Sequence, residues 1–146
     1  DGDGPAVALV ANQAGGERYW AVRGEGAWRD GVAIRPSGCT SLGDAIVGLN
    51  GLPPRPLGYA QCRVLGAVAL DLCLVASGVL DGYVDCVADA HGGWDFMGGL
   101  LICQEAGAAI VDLHGRDLVV REHSDRRTPV AAATPALLDA LLAARR

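Results

Sequence analysis

Apolar residues recur along this chain in two rhythms, and the change from one to the other sets its organisation. Near the N-terminus the runs are short. Pro5-Ala6-Val7-Ala8-Leu9-Val10-Ala11 reads as a buried strand. The Asn- and Gly-rich residues 12–16 turn the chain, and residues 17–22 form a second strand alternating through Tyr19 and Ala21. Gly24-Glu25-Gly26-Ala27-Trp28 continues the hairpin, Asp30-Gly31 is a turn pair, and residues 32–35 close it as a short strand. Residues 37–44 read as a loop and residues 45–49 as another apolar strand.

Longer apolar runs follow. Prolines at 53, 54 and 56 make residues 51–58 a surface loop, because each fixes φ and removes a donor. Residues 66–77 then fit a buried helix closed by Gly78, residues 81–87 a strand and residues 88–93 a loop. Residues 94–106 form a second helix stopped at Ala106-Gly107, where a left-handed glycine ends the turn. Strands are expected at 108–113, 117–120 and 129–133, with a charged loop over 122–128. Thr134-Pro135 opens a last helix over 136–144. Strands alternating with helices predict a layered α/β fold, an α-β-α sandwich, and the opening hairpin is expected to make its sheet mixed.

Composition narrows the function. Hydrophobic residues make up 51% of the chain and aromatics only 5%, so the core must be built from Ala, Val and Leu. With 146 residues there is enough chain for a single domain with a real core. The net charge of -5, without a basic stripe, argues against nucleic acid as a partner. Apolar runs too short or too Gly-interrupted to span a bilayer, and an acidic start without a basic leader, point to a cytoplasmic protein with no membrane partner.

The five cysteines, Cys39, Cys62, Cys73, Cys86 and Cys103, share no short spacing, and their odd number argues against a disulfide framework. Cys73 and Cys103 lie in apolar helical runs and read as core residues. His91, His114 and His123 all fall in loops, which gives a cysteine-hydrolase reading little support.

The chemistry concentrates at Gly93-Trp94-Asp95-Phe96-Met97-Gly98-Gly99. Asp95 opens an apolar helix, where free N–H groups and the helix dipole keep a carboxylate ionised and face an anion. The stretch through Glu105-Ala106-Gly107 resembles the C-terminal signature of the inositol monophosphatase family, the magnesium-dependent, lithium-sensitive sugar phosphatases. The residues from Arg63-Val64-Leu65-Gly66-Ala67-Val68-Ala69 onward resemble the family's Arg-x-x-Gly-Ser-Ala-Ala helix. Asp81-Gly82-Tyr83-Val84-Asp85 resembles its next strand, and Ala21-Val22-Arg23-Gly24-Glu25-Gly26-Ala27 its Ala-x-x-Gly-x-Gly-Ala hairpin.

The resemblance implies a phosphomonoesterase acting on a sugar or polyol phosphate with Mg²⁺, in a homodimer. Asp95 would ligate a magnesium ion, or, as a plain helix-start acid, interact only with the dipole. Gly66, Ala67 and Val68 would open a helix against the substrate's hydroxyls, although Ala67 lacks the hydroxyl usual there. Asp85 would accept from a sugar hydroxyl, although three more residues than usual separate it from Trp94; otherwise it is a strand-end acid. His91 reads as a solvated loop histidine. Asp71 is expected to face solvent or pair with an Arg. Phe96 and Met97 replace small residues, and either crowd the pocket or fill a gap.

The family's Asp-Pro-Ile-Asp-Gly-Thr metal loop does not occur in the sequence. Asp1-Gly2-Asp3-Gly4 reads as a hairpin turn, in preference to a metal site. The expectation is therefore the C-terminal half of such a phosphatase, nearly inactive alone, with apolar surface around Val7, Leu9, Leu72 and Val75 left open to association. The alternative is a non-catalytic remnant that dimerises or binds sugar phosphates.

Overall fold

The structure, a computed structural model, describes residues 4–145. Of the expected Asp1-Gly2-Asp3-Gly4 turn, only Gly4 lies within the described residues. Strands β1 (Val7–Ala11), β2 (Arg18–Val22), β3 (Gly26–Arg29) and β4 (Val32–Ala33) form an antiparallel sheet in that order. Asp30 and Gly31 turn β3 into β4 with φ of 49° and 83°, the paired left-handed geometry of a tight hairpin.

The second sheet has five strands: β5 (Ile46–Asn50), β6 (Gln61–Arg63), β7 (Gly82–Asp85), β8 (Ala109–Asp112) and β9 (Pro129–Ala132), in the order β6-β5-β7-β9-β8. β6, β5 and β7 run parallel, while β9 is antiparallel to both β7 and β8. The sheet is mixed, as expected, but not for the expected reason. The opening hairpin builds a sheet of its own, and the antiparallel strand of the mixed sheet is β9.

Three helices complete the layers: α1 (Val68–Ala76), α2 (Gly93–Ala106) and α3 (Pro135–Arg145). α1 and α2 lie between the two sheets. There Leu72, Phe96 and Leu100 share one core with Ala8, Tyr19 and Ala21 on one side and Tyr83 and Ala131 on the other. Strand alternation sends Val84 and Val130 to the opposite face of the mixed sheet, where Leu137 and Leu141 of α3 cover them. The mixed sheet is thus held in an α-β-α sandwich, with the four-stranded sheet as a further layer.

Three local expectations are corrected. The first helix begins at Val68 rather than 66, because Gly66 is left-handed (φ 75°) and Ala67 sits outside helical geometry (φ -145°). Residues 117–120 are irregular: Asp117 Oδ1 accepts the Val119 N–H at 2.9 Å and folds the backbone into a turn, while Leu118 and Val120 still reach the core. Leu72 and Val75 are fully buried, so neither adds to an open apolar surface, while Leu74 between them is half-buried. Phe96 is also fully buried and Met97 packs against the same core, so both fill space. Cys73 and Cys103 are core residues, and all five cysteines are unpaired.

Candidate functional site

Because β6, β5 and β7 run parallel, their C-terminal ends share one edge of the mixed sheet. The starts of α1 and α2 return from that edge, the place where open α/β sheets bind ligands. Asn50 closes β5 and Asp85 closes β7 as direct cross-strand partners, and Asn50 Nδ2 donates to Asp85 Oδ1 at 2.9 Å. The Val87 N–H donates to the same oxygen at 3.0 Å. From behind, Arg145 of α3 holds the Asp85 and Cys86 carbonyl oxygens, at 3.3 and 3.0 Å.

Asp95 sits in the first turn of α2. Its backbone N–H donates to the Gly92 carbonyl at 3.0 Å, and its Oδ2 accepts the Gly92 N–H at 3.0 Å. This reciprocal pair caps the helix without a capping side chain at Gly92, over which the Trp94 ring folds so closely that a Cβ would lie 2.5 Å from it. Trp94 in turn stacks on His123 (4.7 Å between centroids), with the Arg126 guanidinium 4.9 Å from its ring centre.

His91 joins the two acids. Its Nε2 lies 3.2 Å from Asp85 Oδ2, 3.2 Å from Asn50 Nδ2 and 3.4 Å from the Tyr83 hydroxyl, and its Nδ1 lies 3.8 Å from Asp95 Oδ2. Its backbone is pinned by a two-way bridge with Arg127. The expectation of a solvated loop histidine is therefore corrected: its side chain is only 15% exposed and lies between two carboxylates. The only clues in the sequence are its place just ahead of Asp95 and the long loop after Asp85.

Asp71 is corrected as well. It is 1% exposed, and among the described residues it pairs with no Arg and its Oδ1 makes no hydrogen bond. It points toward β5, where a Cβ on Gly48 would lie 3.1 Å from Oδ1. Burial pushes its carboxyl up to about 6, against the smaller opposing pull of the Ala67 backbone and His91. Burial, then the negative charges of Asp85 and Asp71, also raises the Tyr83 hydroxyl above its usual range.

The other sequence candidates are placed as follows. Gly66 is exposed and open on the side a Cβ would take, Ala67 is the N-cap of α1, and Val68 is 6% exposed with its side chain in the core. The turn follows β6 and so belongs to the same sheet edge as Asp85. Asp85 itself is fully buried.

Among the described residues, no group of three or more His, Cys, Asp or Glu side chains is arranged to enclose a metal ion. What is present is one carboxylate, Asp95, 34% exposed at a helix start. That donor fits Mg²⁺ as one ligand among water and phosphate oxygens, and does not amount to a closed cage.

Known proteins share this fold. The family model described as the inositol monophosphatase family matches residues 1–146. A bifunctional NADP phosphatase/NAD kinase of Methanocaldococcus jannaschii is 32% identical over 149 residues, covering 94% of this chain and 26% of that protein. An inositol-1-monophosphatase of Mesorhizobium japonicum is 32% identical over 124 residues, covering 75% of this chain and 45% of that protein. Among solved structures, a Pyrococcus horikoshii protein described as having similarities to inositol-1 monophosphatase superposes with a TM-score of 0.85 at 24% identity, covering 97% of this chain and 58% of that one. The chain thus spans well under two thirds of each of these proteins. No described helix is long and apolar enough to cross a membrane. On the match over its whole length, the chain belongs to the inositol monophosphatase family.

Proposed function

We propose that residues 1–146 are one domain, the C-terminal region of a cytoplasmic, Mg²⁺-dependent phosphomonoesterase acting on a sugar or polyol phosphate of the inositol phosphate or histidinol phosphate class. The observation that carries this reading is Asp95, held by the Gly92 N–H at the start of α2 in a chain of this family. Asp95 would hold the Mg²⁺, which when bound lowers the pKa of a water and neutralises charge on phosphoryl oxygens. The free N–H groups of the first α2 turn face the phosphate, and the Gly66-Ala67 backbone and the Asp85–His91 pair face the alcohol half. The name of the M. jannaschii relative adds a nucleotide phosphate to the substrates worth testing. The chain is further proposed to form a homodimer.

Without an Asp-Pro-Ile-Asp-Gly-Thr loop in its sequence, the 146-residue chain alone is expected to release almost no phosphate. The test fuses a segment bearing an Asp-Pro-Ile-Asp-Gly-Thr loop ahead of residue 1 and measures phosphate release from inositol-1-phosphate. Turnover that requires Mg²⁺, stops with EDTA and disappears in Asp95→Asn supports the reading. Robust EDTA-sensitive turnover by the chain alone would overturn the split of the site. Tight ester binding with no turnover in the fusion would favour a binding module instead.

A further inference from the structure

A cleft of about 390 Å³ opens between the four-stranded sheet and α1, and none of Asp85, His91 and Asp95 lines it. One wall is apolar. Leu70 and Leu74 stand one turn apart on α1, Leu65 precedes the helix and Val79 follows it. Leu65 and Val79 are 52% and 51% exposed, and Leu70 and Leu74 are half-buried. One exposed Leu would carry no meaning, but here four branched side chains leave apolar surface in a single concavity.

The other end of the cleft is polar, and its charges are unequally matched. Glu17 Oε2 accepts Asn12 Nδ2 at 2.8 Å, and Asp30 Oδ1 accepts the Arg18 N–H at 2.9 Å, so each acid has a close partner. Arg29 has none as close. Its Nη2 lies 3.5 Å from Glu17 Oε1, at the limit of a hydrogen bond, and its Nε lies 3.8 Å from Asp30 Oδ2, beyond it. The guanidinium rests over the Tyr19 ring, 5.6 Å from the centroid. A planar fork is thus held at the end of the cleft with donors to spare, and such a fork takes a carboxylate in two parallel bonds. With Glu17 beside it, this end suits a head of one negative charge better than a dianionic phosphate.

We propose that this cleft binds an amphipathic carboxylate, with its head on Arg29 and its aliphatic chain along Leu65, Leu70, Leu74 and Val79. Leu65 and Ala67, both in the wall of the cleft, flank Gly66, so a bound chain packs beside the turn that follows β6.

The experiment uses the 146-residue chain with ¹³C-labelled Leu and Val methyls, titrated with octanoate and with octanol and followed by NMR. Octanoate is expected to shift the methyls of Leu65, Leu70, Leu74 and Val79 to saturation and to leave those of Val7 and Leu9 in place. Octanol should bind about tenfold more weakly, and Arg29→Gln should bring octanoate down to the same level, the scale of one lost charge-assisted hydrogen bond. Glu17→Gln should strengthen octanoate about threefold, because it removes a partly exposed like charge beside the head. Both side chains are partly exposed, so neither substitution opens the core. Equal binding of octanoate and octanol, or octanoate binding unchanged by Arg29→Gln, would overturn the proposal. So would shifts of equal size at Val7 and Leu9, which would mark adsorption to any apolar surface. Sedimentation adds one more outcome: self-association that Leu65→Ser abolishes would show a second copy in the cleft instead of a carboxylate.

Discussion

The carboxylate of Glu105, near the end of α2, accepts the backbone N–H of Gly26 at 3.0 Å across 79 residues of sequence, and its other oxygen accepts the Gly24 N–H at 2.9 Å. Gly24 and Gly26 are both left-handed (φ 79° and 105°), a conformation that aims two N–H groups at one acceptor. The Glu of the signature helix and the Gly-x-Gly of the hairpin are therefore two halves of one contact. Glu105→Ala is expected to destabilise the chain by about 1–2 kcal/mol, since it removes two charge-assisted bonds, one of them exposed. Urea denaturation of the variant checks this. An unchanged midpoint would show that the contact contributes nothing.

What could be read from the sequence follows from what each residue depends on. Asp95 and its helix were legible because glycines, an apolar run and the closing Gly107 all act locally. The Asp30-Gly31 turn was legible for the same reason. Asp71 was not, because its neighbours along α1 are apolar and mark no polar face, and the helix packs between the sheets with Asp71 turned inward. His91 was missed because its partners are set by the register of β5 and β7, which places Asn50 opposite Asp85. Leu118 and Val120 alternate as a strand would, but the Asp117 side chain diverts the backbone.

Asp71 gives the chain a measurable pH signature. Its carboxyl is raised by burial from an ordinary value near 3.8 to about 6, so the folded state binds the proton more tightly than the unfolded one. Its contribution to stability is therefore greatest below pH 4, falls as pH rises to about 6, and is flat above. The loss is on the order of 2–3 kcal/mol. Asp71→Asn should lack this slope, so that its advantage over the wild type grows between pH 4 and pH 6. Parallel stability curves for the two proteins would refute the assignment.

Asp112 behaves in the opposite sense. Burial would raise its carboxyl, but the Arg116 side chain, at 2.8 and 2.9 Å, and the Thr128 N–H, at 2.8 Å, outweigh it and hold the carboxyl down at about 2. Its stabilisation is full above the ordinary carboxylate value and is lost as pH falls toward about 2. Arg116→Met, which keeps the aliphatic stem, is expected to cost about 2 kcal/mol at pH 7. That is below the cost of breaking a fully buried pair, because Arg116 is 36% exposed. The same variant should narrow the acid-stability margin, read as a denaturation midpoint shifted to higher pH.

Two neighbouring glycines of α2 separate packing from helix propensity. A Cβ on Gly99 would meet Leu72 Cβ at 2.7 Å, where α1 crosses α2, whereas a Cβ on Gly98 would meet only a methyl of Val10 at 3.2 Å. Gly99→Ala should destabilise by about 1–3 kcal/mol through overpacking. Gly98→Ala should fall within about 1 kcal/mol of the wild type, because the gain in helix propensity offsets the tighter contact. Thermal melts of the pair decide it, and equal losses at both sites would sink the close-crossing argument.

The outer face of the four-stranded sheet is where association is expected. Cross-strand register aligns Leu9 with Trp20 and Trp20 with Trp28, and the two indoles stack at 4.0 Å. Val7 and Leu9 are 69% and 65% exposed on the same face, and β1 is an edge strand whose outer side pairs with no other strand among the described residues. An apolar stripe beside an open edge favours pairing with another copy or aggregation. Sedimentation of the 146-residue chain at micromolar concentration should therefore show species larger than a monomer, and Val7→Lys with Leu9→Lys should shift it toward the monomer. Leu72 and Val75 are buried and take no part, so the effect should follow the β1 substitutions. A wild-type chain that stays monomeric and binds no hydrophobic dye would show that this face is stable against water as it stands.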